Sequence, residues 1–346
     1  MSKKLRIIAY PYSGIAYNDS FYEALERRQE TVIEGVWAGR WIQKNVKKGD
    51  VVHIHWPSFF YASRGSYFYL TYSFLRFAAL LTLFRLKRAK IVWTAHNMMP
   101  HDKSRCPAFD VVARHLVIAA SSCVFIHSEE SMRLLAQRFP RILHKNSIIP
   151  HGNWINRYGP MMQRDEARAK LGVPDHAFLY LMFGQCKTYK DIIGLVKVFL
   201  RMASSSDFLI IAGRFPDAEY LQDVIIERNG DPRVIIQNQF IPDSEVSLYL
   251  GASDIMCMPY QEILTSGTAM LSLSYGRPVL SIDRGFLRDV VTRDVGVLVP
   301  RESDMELEKA MRMVRTSNWD ETAIISHARK YTFDDAAEKF VSDIYE

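Results

Sequence analysis

The stretch FLYLMFGQCKTYKDIIGLVKVFL, residues 178–200, changes character twice. An apolar run, Phe178 to Phe183, reads as a buried strand. Gly184 then lets the chain turn. Lys187 and Lys190 follow three residues apart, and from Asp191 the apolar spacing becomes helical in "DIIGLVKVFLRMA". A strand, a cationic loop and a helix start can converge on one anion, because the helix head offers free N–H groups and a partial positive charge. Two loop lysines alone are usually just solvated. The spacing is not G-x-x-x-x-G-K-[ST], which argues against a nucleoside triphosphatase loop. A second such element starts at Ser266-Gly267-Thr268 in "SGTAMLSLSYGRPV", where bare backbone and two hydroxyls head an apolar helix. Two anion-seeking elements in one half of the chain can hold two phosphates.

Working outward, the same alternation continues. "DFLIIAG", "RVIIQNQF", "DIMCMPY", "PVLSI" and "GVLVP" read as further strands of the second half. In the first half "LRIIAY", "DVVHIHW", "KIVWTAHN", "CVFIHS" and "NSIIPHGN" do the same, with a polar helical stretch between the first two that reaches about Lys44. The pattern breaks near 155–175. This order predicts an α/β chain of two Rossmann-like domains facing a central cleft, over 1–160 and 161–330. The last segment, "TFDDAAEKFVSDIYE", predicts a helix at 331–346 that packs back on the N-terminal domain.

At 346 residues and 48% apolar composition, the chain is long enough to bury two cores. Cys106, Cys123, Cys186 and Cys257 form no CxxC pair, and no signal peptide precedes them, so a reducing, cytoplasmic setting is expected. The net charge of +6 is unevenly placed. Residues 1–160 hold 23 Lys/Arg against 10 Asp/Glu, whereas residues 161–346 hold 21 against 28. The first half therefore suits an anionic partner or a plain solvated surface. Within it, "SFFYASRGSYFYLTYSFLRFAALLTLFRLKRAK" (58–90) mixes Phe, Tyr and Leu and closes on Arg85, Lys87, Arg88 and Lys90. Arg76 interrupts the apolar run. The segment reads as a helix lying on a membrane surface, with a core helix as the alternative.

These motifs resemble a family. From "FGQCKTYKD" through "FLIIAGR", "VIIQNQFIPDSEVSLYLGASDIMCMPY" and "SGTAMLSLSYGRPVL" to "VGVLVP", the second half is similar to the nucleotide-sugar-binding domain of GT-B glycosyltransferases of the family 4 clan. "VVHIHWP" and "TAHNMMPHD" look like bacterial exopolysaccharide transferases of the xanthan β-mannosyltransferase type. The resemblance implies that Lys187 and Lys190 bind the donor diphosphate with Ser266, Gly267 and Thr268, beside Gly184. It implies a base and ribose site near Phe240 and Ile241, with Gly213 and Arg214 at the neighbouring strand end. One departure matters: the family's paired glutamates fall on Ile263 and Leu271 here. Glu262 either replaces one of the lost contacts or is an ordinary surface residue.

In the first half His53, His55, His96, His101 and His151 sit at or just after strand ends, in a spacing that matches no zinc site. No Asp-x-Asp occurs, and neither a metal nor a cofactor is expected. Glycosyl transfer needs the acceptor hydroxyl deprotonated. In "HNMMPHD" Asp102 is the candidate base if transfer inverts. His96 and His101 are candidates for the base or for binding acceptor or phosphate, and Asn97 for acceptor contact. His96 and Asn97 equally suit a strand-end cap. His55 and Trp56 would shape the acceptor cleft, and Gly14 would let a ligand approach the backbone. The expectation is a glycosyltransferase peripheral to the inner face of the plasma membrane, using GDP-mannose or a UDP-sugar. Its acceptor would be a polyprenyl-diphosphate-linked glycan in exopolysaccharide biosynthesis, with inversion or retention left open. The alternatives are a retaining enzyme with another acceptor, and a nucleic-acid-binding protein using the basic half; no RRM or KH motif supports the latter, and no nucleic-acid partner is expected.

Overall fold

The structure is a computed structural model, and it describes residues 4–62, 65–100, 104–300 and 303–345. The chain forms two compact units, Met1–Gly152 with Thr332–Glu346, and Asn153–Tyr331.

The first unit holds a sheet of β1 (Arg6–Tyr10), β2 (Thr31–Glu34), β3 (Val51–Ile54), β4 (Lys90–Thr94), β5 (Cys123–Ile126) and β6 (Asn146–Ile148). Every pair is parallel, in the order β2-β1-β3-β4-β5-β6. Strands buried on both faces need apolar side chains on both, which is why these runs lack alternation. The edge strand β2 lies inside the stretch read from sequence as helical through Lys44. Helix Ala16–Arg27 stops at Gln29, whose φ of 66° ends it, and the β-branched Thr31-Val32-Ile33 pairs with β1 instead. An edge strand half open to solvent carries too weak an apolar signal to show.

The second unit repeats the design with β7 (Phe178–Phe183), β8 (Asp207–Ala212), β9 (Val234–Gln237), β10 (Ile255–Met258), β11 (Val279–Ile282) and β12 (Gly296–Val299). The order is β12-β11-β10-β7-β8-β9, again all parallel.

The chain changes unit at Gly152/Asn153, ahead of the boundary read at 160. Trp154 explains the difference. Its backbone N–H donates to Ser274 Oγ at 2.8 Å and its indole N–H to the Gly267 carbonyl at 2.9 Å, so residues from 153 onward pack with the second unit. The chain returns at Thr332. Helix Phe333–Tyr345 lies against helix Ala16–Arg27, and Phe340 fills a gap between Phe21, His53 and Phe125 at 5.3, 4.9 and 4.6 Å. A Cβ at Gly152 would overlap the Phe333 ring.

Arg168 organises the entry to the second sheet. Fully buried, it donates to the carbonyls of Ala252, Pro174, Asp175 and Ala177, and its NH2 meets Asp254 Oδ2 at 2.8 Å. The same carboxylate oxygen accepts from Leu179 N at 2.7 Å, at the start of β7. Arg168→Leu leaves those carbonyls without their donor and Asp254 with Arg164 as its remaining cationic partner. A loss of about 3–5 kcal/mol is expected, read by urea unfolding of the variant; a change inside experimental error would disprove this role.

Candidate active site

In the second unit the strand order reverses between β7 and β10. Connections leave these neighbours in opposite directions, and the crevice at their carboxyl ends is where open α/β sheets bind ligands. The anion-seeking elements of the sequence converge there. Gly184 follows β7 with φ +87°, and a Cβ placed on it would lie 3.4 Å from Lys190 Nζ and 3.9 Å from Thr268 Oγ1. Lys190 is only 5% exposed. Its ammonium donates to the Phe183 carbonyl at 3.2 Å and stands 5.1 Å from the Tyr260 ring centroid. No carboxylate pairs with it among the described residues. Burial accordingly lowers its pKa below the usual lysine range. Ser266 Oγ accepts from Ala269 N at 3.1 Å and caps helix Gly267–Ser274, leaving the first N–H groups of that helix beside Thr268.

Two further contacts fix the loop. Gly213, at φ +154°, must be glycine because a Cβ would overlap the Gly184 carbonyl oxygen. The Arg214 carbonyl accepts from Cys186 N at 2.9 Å, while its guanidinium side is exposed. Lys187 is half-buried on the same loop, and its carbonyl accepts from Lys190 N at 3.0 Å. Phe240 is 76% exposed and Ile241 buried. That difference leaves Phe240 available to a flat ligand and assigns Ile241 to packing. Glu262 is exposed, whereas Ile263 and Leu271 are buried apolar side chains.

In the first unit the order reverses between β1 and β3. His55 and His96 follow β3 and β4 and are buried, with His127 and His151 after β5 and β6 also buried. His53 lies within β3 itself. Tyr17 and Tyr22, from helix Ala16–Arg27, complete this cluster, and neither lies in a sequence motif that marks it. Tyr17 stands within 4.7–5.8 Å of the rings of His55, His96, His127 and His151. Trp56 stacks on His96 at 4.4 Å, its plane tilted by 15°. His127 and His151 donate from Nδ1 to the carbonyls of Ile149 and Gly152 at 3.2 and 2.9 Å. Desolvation pushes every one of these imidazoles down, His53 to about 3 and His151 to about 4. His55, His96 and His127 are driven well below the usual value by burial first and by one another second. Among the described residues no three His, Cys, Asp or Glu are arranged to hold a metal ion. Asn97 is half-buried next to His96. Gly14 is exposed, but its N–H already donates to Asp19 Oδ1 at 3.2 Å, so it is not an open backbone donor for a ligand. His101 and Asp102 lie outside the described residues.

Helix Tyr67–Leu86 in the same unit is long and apolar enough, by length and composition, to cross a membrane. Its inner face is committed to the unit's core: Phe77 meets Tyr61 at 5.3 Å, and Phe84 meets Tyr10 at 5.8 Å. Its outer face is nonetheless apolar, with Phe68 80% and Leu86 74% exposed, and Tyr72 and Leu75 open between them.

Two parallel-sheet Rossmann-like units, the second with a cationic cradle at its reversal point, define the GT-B class. Anabaena HepE, crystallised with UDP and glucose, superposes with a TM-score of 0.71 at 14% identity, over 99% of both chains. A glycosyltransferase of Rickettsia africae ESF-5 does so with a TM-score of 0.69 at 13% identity, over 99% of this chain and 98% of that one. The GDP-mannose:glycolipid 4-beta-D-mannosyltransferase of Xanthomonas campestris pv. campestris is 24% identical over 233 residues. That match covers 67% of this chain and 61% of the relative. Residues 163–331 match the family model "Glycosyl transferases group 1". Most of the second unit thus matches a glycosyltransferase family model, and the chain is a GT-B protein related to bacterial mannosyltransferases.

The buried imidazoles make the first unit acid-sensitive. In the unfolded chain they titrate near 6.5, and in the folded one far lower, so the unfolded state binds more protons below that pH. Stability is complete above about pH 6.5 and falls as pH drops towards the folded values. Each ring held neutral in the fold costs on the order of 1 kcal/mol per pH unit below that point, and all five act in the same direction. The first unit is expected to lose amide protection between about pH 5 and 6, followed by hydrogen exchange; equal protection at pH 7.5 and 5 would refute the neutral cluster.

Proposed function

We propose that the protein transfers a hexosyl group, with mannose from GDP-mannose as the first candidate, to a lipid-linked glycan at a membrane surface. One observation carries this reading: a buried ammonium, without a carboxylate partner among the described residues, beside a bare glycine, a threonine hydroxyl and a capped helix head. That arrangement is complementary to a diphosphate. Charge grows on a nucleoside diphosphate as its bond to the sugar breaks, and fixed donors in a dry crevice stabilise that charge more than the ground state. The Xanthomonas relative's name supports GDP-mannose as donor and a glycolipid as acceptor. A polyprenyl-diphosphate carrier and the inner face of the plasma membrane fit the same reading. Asp102 is the proposed base if transfer inverts the sugar.

The first unit supplies the membrane side. Residues 51–101 contain six Lys/Arg and no Asp or Glu. The outer face of helix Tyr67–Leu86 is apolar and the helix ends in Arg85, Lys87 and Arg88. Because the inner face is held in the core, the helix lies on a bilayer instead of crossing it.

Lys190→Met should weaken GDP binding by about 10- to 100-fold in calorimetry, the worth of a charge-assisted contact. The same variant should melt no lower than the wild type without ligand, since it removes a buried unpaired charge. Undiminished GDP binding would sink the cradle. On the membrane side, Phe68→Ser with Leu75→Ser should cut flotation with vesicles containing phosphatidylglycerol by at least about tenfold, at unchanged melting temperature. Equal flotation of variant and wild type would remove this face from membrane binding.

A further inference from the structure

Five buried side chains of the first unit form one unbroken row. Thr94 Oγ1 lies 2.8 Å from His53 Nε2, and His53 Nδ1 lies 3.1 Å from the Tyr22 hydroxyl. That hydroxyl lies 2.7 Å from His55 Nε2, and His55 Nδ1 lies 2.9 Å from His96 Nε2. No carboxylate joins the row among the described residues. Burial keeps the three imidazoles neutral near pH 7, so each carries a single N–H.

Five groups with one proton each must make four hydrogen bonds. His53 and His55 each stand between two partners, and each gives one bond and receives one. Tyr22 does the same, because a phenol accepting from both sides would bury its own proton unused. The only remaining choice is the direction of the row, and Thr94 decides it. Thr94 is fully buried, and His53 Nε2 is the one side-chain partner its hydroxyl has among the described residues. Were Thr94 the acceptor, its own proton would have nowhere to go. Thr94 therefore donates to His53 Nε2. His53 then donates from Nδ1 to Tyr22, Tyr22 to His55 Nε2, and His55 from Nδ1 to His96 Nε2. His96 is left with its proton on Nδ1.

We infer that Thr94, His53, Tyr22 and His55 are positioning residues that fix His96 as a neutral Nδ1–H donor towards an oxygen of the substrate. The Nδ1 edge of His96 has no hydrogen-bond partner among the described residues, and its ring is held flat against Trp56. With Nε2 already accepting and Nδ1 already protonated, His96 is not the base that deprotonates an acceptor. The inference rests on the proposed transfer reaction for the identity of the substrate, and on the hydrogen-bond row alone for the tautomer.

Long-range proton–nitrogen NMR of the full chain, labelled at histidine, reads each tautomer, and His96→Asn identifies the His96 signal. Nδ1–H forms are expected for His53, His55 and His96. Thr94→Val deletes the proton that sets the direction and should mix the tautomers of all three rings, while Thr94→Ser should restore them. A wild-type His96 in the Nε2–H form overturns the inference, as does a Thr94→Val protein with unchanged signals. If Thr94→Val does not fold, Tyr22→Phe cuts the row at its centre, and an unaltered His96 signal there has the same force. In a transfer assay Thr94→Val should lower kcat about tenfold, the worth of one hydrogen bond, with Thr94→Ser near wild type. The expected tautomers together with no transfer from any sugar nucleotide would refute the reaction and leave the row standing.

Discussion

A buried ammonium with no counter-charge is unstable by itself, and the second unit holds one, Lys190, that has no carboxylate partner among the described residues. The sheet explains how this is tolerated. Where β7 and β10 lie side by side, their connections depart in opposite directions and leave a crevice floored by backbone. Gly184 leaves out the side chain that would face Lys190 and Thr268, Gly213 lets the Gly184 carbonyl come close, and Lys190 enters over Tyr260. In the proposed reaction a diphosphate would bring the missing negative charge, and donor recognition would need few contacts, because the protein has already met the desolvation cost of its cation.

The first unit solves the opposite problem. Its crevice is lined by groups that stay neutral: imidazoles stripped of water, two tyrosines and a tryptophan. Neutral donors and acceptors suit hydroxyl groups, which carry direction but no charge. The cationic character of this half lies elsewhere, around the apolar helix Tyr67–Leu86 and the lysines and arginines near its end. Charge asymmetry between the halves of the chain therefore does not map onto the two crevices. The more acidic half holds the cationic cradle.

Much of this architecture is legible in the sequence because parallel strands are buried on both faces and read as uninterrupted apolar runs. The glycine after β7, the two lysines and the Ser-Gly-Thr helix head are local signals, each readable within a few residues. What escaped is non-local. Tyr22 and Tyr17 look like ordinary members of a helix, and Thr94 like any strand residue. Their roles arise only when helix Ala16–Arg27 is laid across the ends of β3 to β6. The edge strand β2 is hidden because a half-exposed strand of four residues has no pattern to set it apart from the polar helical stretch around it. The hydrogen bond from Gly14 N–H to Asp19 Oδ1 is likewise a contact that only the folded loop reveals.

The return of residues 332–346 to the first unit bears on how the chain is made. Phe340 packs among Phe21, His53 and Phe125, and Phe333 against Tyr17 and His151, all far earlier in the chain. During translation the second unit, contiguous from Asn153 to Tyr331, has all its strands before the first has its last helix. The half synthesised first is thus the half finished last. Its exposed aromatic helix emerges from the ribosome well before the unit that carries it can close.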